Sequence, residues 1–154
     1  MRKSILVVDD DLFIRDIASH VLGVDNNVLL AHDMINARNI LHNEHIDLIL
    51  LDIKLEKETS ESLFKIIHHK KEKEIPVIVF SSNQDPGIKD NYIDMGIADY
   101  IQKPFNLNDL EVRIKDVLIM DSPPKMQKKK KASHFKNWFL RLIKIKRYNK
   151  DEVC

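Results

Sequence analysis

A chain of 154 residues, 44% hydrophobic and 32% charged, has the composition of one soluble folded domain with an appendage and is too short for two full domains. Its three glycines leave no GxGxxG or GxxxxGK loop to cradle phosphates, and its single cysteine, Cys154, excludes a disulfide within the chain. The net charge of +1 conceals an acidic body with a basic tail: residues 121–154 carry 11 Lys/Arg against 3 Asp/Glu (+8), and residues 1–120 carry 14 against 21 (−7).

The first apolar run, SILVV (4–8), is β-branched and short, which predicts a strand. In LFIRDIASHVL (12–22), Leu12, Ile14, Ile17, Val21 and Leu22 recur at helical spacing, and Asp11 before them is placed to cap. NVLLA (27–31) predicts a second strand and DMINARNILHN (33–43) a second helix capped by Asp33. IDLILLD (46–52) is the third strand, and SESLFKIIHHK (60–70) the third helix, with Ser60 as its cap. IPVIVFS (75–81) is a fourth strand opened by a proline, which a strand start tolerates. A fourth helix is expected from Asp85 to Met95, stopped by Gly96. ADYIQ (98–102) gives a fifth strand, and NLNDLEVRIKDVLIM (106–120) a last helix capped by Asn106 or Asn108.

Five strand–helix pairs imply an α/β fold with a parallel five-stranded sheet, right-handed crossovers and helices on both faces. The first, third and fourth strands are apolar throughout, as strands buried on both faces must be. The longest apolar run, IPVIVF, is far below the roughly 18 residues of a membrane span. MRKSILVVDDD reaches acid too soon for a signal peptide, and Cys154 is misplaced for prenylation. The expected location is cytoplasmic.

In an open α/β sheet, ligands bind at the carboxyl ends of the strands. The first strand ends in Asp9-Asp10-Asp11, the third in Asp52, and the fourth in Ser81-Ser82; Lys103-Pro104 follows the fifth. Two carboxylates about 4 Å apart repel by roughly 4 kcal/mol at an effective dielectric near 20. A divalent cation is the natural compensation, and an all-oxygen donor set favours Mg2+, with Mn2+ as its substitute, over zinc. His68 and His69 lie beside lysines in the third predicted helix and read as solvated side chains.

These residues carry a resemblance. ILVVDDD, LILLDIKL, VIVFSS and YIQKPF, in this order across residues 3–120, resemble the receiver domain of two-component response regulators, including the chemotaxis receivers. The resemblance implies a flavodoxin-like three-layer sandwich with strand order 2-1-3-4-5. It implies that Asp52 accepts a phosphoryl group from a histidine kinase or phosphotransfer protein. Mg2+ would be held directly by Asp10 and through water by Asp9, with Asp52 and the backbone carbonyl of Lys54 completing the protein's ligands. Ser81 would donate its hydroxyl to a phosphoryl oxygen, Lys103 would pair with the phosphate, and Tyr100 would change rotamer as Ser81 is drawn inward. The protein would then be a phosphoacceptor switch, at most weakly self-phosphorylating and self-dephosphorylating. Its output would be a changed surface around the fourth helix, fifth strand and last helix, read by a downstream protein or a second copy.

The chain departs from the family after Asp52. Leu55-Glu56 and Thr59-Ser60 stand where receivers often carry Met-Pro and a glycine turn, and Lys54 is placed to affect the lifetime of an acyl phosphate. Two competing classes therefore stay open: a pseudo-receiver scaffold that works without phosphorylation, and an α/β phosphohydrolase. The latter wants a general acid where Lys54 stands. The domain reading is a receiver over 1–120, a basic linker over 121–133 opened by Pro123-Pro124, and a basic amphipathic tail over 134–154. In that tail Phe135, Trp138, Phe139, Leu142 and Ile145 follow helical spacing, interrupted by Lys146. Docking on the acidic body or fraying as a solvated tail, a partner or self-association surface, an anionic membrane surface and nucleic acid are its alternatives. A DNA-binding output domain is not expected, because the tail is too short to form one.

Overall fold

The computed structural model describes residues 2–55, 64, 67, 75–82 and 85–119. The described strands are β1 (Ser4–Val8), β2 (Asn27–Ala31), β3 (Leu48–Asp52), β4 (Val77–Ser81) and β5 (Asp99–Gln102). The described helices are α1 (Leu12–Leu22), α2 (Met34–Asn43), α3 (Pro86–Asp94) and α4 (Leu107–Leu118). Phe64 and Ile67 are also helical; the rest of the third predicted helix, the linker and the tail lie outside the described residues. The strands form one parallel sheet in the order β2-β1-β3-β4-β5. This is the flavodoxin-like order that the resemblance implies.

The two-residue period of the strands divides the core between the two faces of the sheet. Ile5, Val7, Leu48, Leu50, Ile78 and Phe80 pack on one side against Ala18 and Leu22 of α1 and Leu110, Ile114 and Val117 of α4. Leu6, Val8, Ile49, Leu51, Val77 and Val79 pack on the other against Met34, Ala37 and Leu41 of α2, Tyr92 of α3, and Phe64 and Ile67. Strands β3 and β4 are buried along their whole length, as their continuous apolar runs predict. Truncating a fully buried side chain such as Leu50 to alanine costs about 2–5 kcal/mol.

Local chemistry sets the ends of the elements. The carboxylates of Asp11, Asp33 and Asp85 and the amide oxygen of Asn106 accept backbone N–H groups at the starts of α1, α2, α3 and α4. Gly96 follows α3 with φ of 85°, a conformation that favours glycine. One helical expectation fails: Leu12 is 64% exposed. At about 100° per residue Leu12 sits roughly 120° around the helix from Ala18, off the stripe that α1 buries. Among the described residues, no helix is long and apolar enough to cross a membrane.

Candidate functional site

Parallel strands end on one edge, so the fold gathers residues that are far apart in the chain. The Lys103 ammonium donates to Asp9 Oδ2 at 2.8 Å and to Asp52 Oδ2 at 2.9 Å. Asp9 Oδ1 accepts the Asp11 N–H at 2.9 Å, and Asp52 Oδ1 accepts the Lys54 N–H at 3.1 Å. The Lys103 N–H bonds to the Ser81 carbonyl at 2.7 Å, which ties the end of β4 to the residue that carries the ammonium. Asp9 is fully buried, Asp52 and Ser81 are buried, and Asp10 is exposed.

Carboxylate oxygens of Asp9, Asp10 and Asp52 lie within 4.8 Å of one another. Asp9 and Asp52 thus share one ammonium, with the exposed Asp10 beside them. Burial pushes the Asp9 carboxyl above its ordinary value, outweighing the hydrogen bonds from Lys103 and from the Asp11 N–H. At Lys103 burial acts downward, but the hydrogen bonds and charges of Asp9 and Asp52 outweigh it and raise the ammonium. Both groups hold their protons more tightly than usual, Asp9 because it is buried and Lys103 because two carboxylates face it. The acids offer only oxygen donors, which fits a hard divalent cation such as Mg2+.

The other expected residues take distinct places. Lys54 lies two residues beyond Asp52, its backbone N–H bonded to that carboxylate and its side chain exposed. Ser81 ends β4, one residue past the Phe80 that pairs with Asp52. Tyr100 is buried in the core on the α2 and α3 side rather than in the acid cluster, with Lys89 Nζ 5.5 Å from its ring centroid. It pairs with Val79, two residues before Ser81, so Tyr100 and Ser81 belong to the same face of the sheet. Asp11 caps α1 and is outside the acid cluster.

Sequence reasoning missed two cations. Arg15 donates to the Asp9 carbonyl at 2.6 Å and so braces the loop that carries Asp9 and Asp10. Its signal was position: Arg15 is one helical turn beyond the Asp11 cap. Arg113 of α4 bonds to Asp99 at 2.9 Å and Asp109 at 3.0 Å beside Tyr100. The Asp109–Arg113 spacing was readable as a helical i, i+4 pair, whereas the link to Asp99 depends on how α4 packs.

Residues 5–115 match the family described as response regulator receiver domain. The probable transcriptional regulator ycf27 of Cyanophora paradoxa is 33% identical over 118 residues, covering 76% of this chain and 48% of that protein. The transcriptional regulatory protein CrdR of Helicobacter pylori is 33% identical over 116 residues, covering 75% and 54% respectively. This chain spans about half the length of the curated relatives it matches. Among solved structures, the non-phosphorylated HemR receiver domain of Leptospira biflexa matches with a TM-score of 0.72 at 27% identity, over 79% of this chain and 98% of that one. A CheY-like receiver domain protein of Methanospirillum hungatei matches with a TM-score of 0.70 at 28% identity, over 77% and 94%.

Proposed function

The chain belongs to the response regulator receiver domain family, and from that premise we propose that residues 1–120 form a receiver phosphorylated on Asp52. Receiver domains are phosphoacceptor switches of two-component systems, served by histidine kinases or phosphotransfer proteins, and they bind Mg2+ at an acidic pocket. In the proposed step, an Asp52 carboxylate oxygen attacks the phosphorus of a phosphohistidine. The new O–P bond makes an acyl phosphate, the P–N bond breaks, and the imidazole nitrogen keeps the electron pair and takes up a proton.

Phosphoryl transfer needs positioning and charge neutralisation more than covalent help. Lys103 supplies both, since it holds the nucleophile and stands within reach of the charge that arrives. Ser81 donates its hydroxyl to a phosphoryl oxygen, and Tyr100 follows it as the switch. Asp10 directly, Asp9 through water, Asp52 and the Lys54 carbonyl are the groups that would hold Mg2+, whose charge neutralises the phosphoryl oxygens when it is bound. Phosphorylation biases a pre-existing two-state equilibrium of the α3–β5–α4 surface, which is read by a downstream protein or a second copy. The basic linker (121–133) and tail (134–154) complete this reading, as does a cytoplasmic location.

The observation that carries the proposal is the Lys103 bridge between Asp9 and Asp52. Mg2+ with beryllofluoride, an acyl-phosphate mimic, tests it by NMR. Resonances around Ser81 and Tyr100 shift if the switch is real. A chain that binds neither reagent, or binds both with no change at Ser81 and Tyr100, is the phosphorylation-independent scaffold instead.

A further inference from the structure

We propose that the basic tail is an anchor for an anionic lipid bilayer surface, attaching the receiver by the edge opposite its acid cluster. Between Asp121 and Asp151 the chain has 11 Lys/Arg and no Asp or Glu. The cations come in two settings: the run Lys128–Lys131, and single residues interleaved with Phe135, Trp138, Phe139, Leu140, Leu142, Ile143 and Ile145. A polybasic run beside an aromatic and aliphatic segment supplies the two signals that stable attachment to a bilayer surface requires, charge attraction and apolar insertion.

The apolar content decides between occupants. Seven of the eleven residues from Phe135 to Ile145 are large and apolar, more than the charge-driven grip of nucleic acid needs. At helical spacing Leu140 and Ile143 would also fall outside the stripe of Phe135, Trp138, Phe139, Leu142 and Ile145. A narrow protein groove reads a narrow stripe, whereas a bilayer interface accepts a broad one. The receiver body is acidic, but its described surface offers little for a tryptophan and two phenylalanines. Apart from Val24 and Ile119 at one edge, exposed large apolar side chains are spread over separate elements: Leu12 and Phe13 begin α1, Leu30 is on β2, Ile35 on α2, and Leu107 and Val112 on α4.

The fold gives the attachment a direction. Helix α4 starts just after Lys103, at the acid edge, and runs back along the sheet, so that Lys115 reaches Asp25 beyond the end of α1 at 3.8 Å. The chain therefore leaves α4 at the edge opposite the acid cluster. Val24 and Ile119 are 69% and 77% exposed there, beside Arg2, which bonds to the Val24 carbonyl. The acids of this edge include Asp25 and Asp47, which are paired with Lys115 and Lys3, and the exposed Glu44. Tethered this way, the acid edge stays open to a phosphodonor. Only this orientation rests on the receiver reading; the lipid binding stands apart from it.

Trp138 is the single tryptophan, so intrinsic fluorescence reports the tail directly. The full chain, with no phosphodonor present, is mixed with phosphatidylcholine vesicles with and without phosphatidylglycerol. The expected result is a blue shift of Trp138 emission and co-sedimentation only with the anionic vesicles. Replacing Lys128, Lys129, Lys130 and Lys131 together by Gln lowers the affinity about tenfold or more, and Leu142→Asp removes the blue shift. Three outcomes overturn the proposal: equal binding to both vesicles, emission already blue-shifted without lipid and unmoved by it, or a shift with a DNA or RNA oligonucleotide and none with vesicles. Absence of beryllofluoride binding with vesicle binding intact removes the phosphorylation reading and leaves the anchor.

Discussion

Two carboxylates at opposite edges of the same sheet behave in opposite ways. Asp47, before β3, accepts the Ser4 N–H and the Lys3 ammonium, each at 3.0 Å. Asp9, after β1, accepts the Asp11 N–H and an ammonium that it shares with Asp52. Burial acts upward on both acids. At Asp47 the Ser4 and Lys3 bonds win and the carboxyl is lowered; at Asp9 burial wins and it is raised. Each acid accepts one N–H and one ammonium, so what separates them is that Asp9 is fully buried and shares its ammonium with Asp52, whereas Asp47 is only partly buried.

The sharpest break in the comparison is to remove the shared cation. Lys103→Met should lower the rate of phosphorylation by a small-molecule phosphodonor about 100-fold or more, the loss expected when a donor aimed at developing charge is deleted. Stopped-flow or mass spectrometry reads it, and a rate within a few-fold of wild type would remove Lys103 from the site. Exchanging the acids one at a time should separate function from stability. Asp9→Asn is expected to weaken Mg2+ binding about tenfold or more and to leave the urea midpoint unchanged or higher, since a neutral amide escapes the cost of burying charge. Asp47→Asn should do the reverse, losing about 1.5 kcal/mol of stability with Mg2+ affinity intact. If both variants lose stability alike, the distinction between the two edges fails.

Acid titration sharpens the same contrast. The raised Asp9 binds its proton more tightly in the folded than in the unfolded chain. Its contribution is therefore fully present below the ordinary value of 3.8 and is lost as pH rises through the higher folded value. The lowered Asp47 contributes above 3.8, and that contribution is lost as pH falls through its lower folded value. Unfolding midpoints against pH should lose the first slope in Asp9→Asn and the second in Asp47→Asn. The smallest effect lies away from both edges. Gly96→Ala, at φ of 85°, should cost about 1 kcal/mol in thermal unfolding and leave Mg2+ binding unchanged.

Much of the fold was written in periodicities that survive packing. The spans of β1, α1 and β2 were readable to the residue, as were the caps Asp11 and Asp33, while Asn106 was one of two candidates for the last helix. The acid cluster was readable because parallel strands must end together, so Asp9, Asp52 and Lys103 could be placed on one edge before any contact was known. What periodicity cannot supply is the competition among polar groups once strands have met. Strand β3 was expected from Ile46 and begins at Leu48, because the Asp47 side chain takes the Ser4 N–H that opens β1. Strand β4 was expected from Ile75 and begins at Val77; Pro76 has no N–H to donate to a ladder. Leu12 has the right residue type and the wrong angle. Arg15 reaches the Asp9 carbonyl only because α1 starts at Leu12 and points that turn at the loop.

The most direct measurement of the central claim is the intact mass of the full chain after incubation with acetyl phosphate and Mg2+. Wild type should gain the mass of one phosphoryl group, labile to hydroxylamine as an acyl phosphate is, and Asp52→Asn should gain none. Equal labelling of the two chains, or a folded wild type that takes up Mg2+ and never gains the group, would contradict the account.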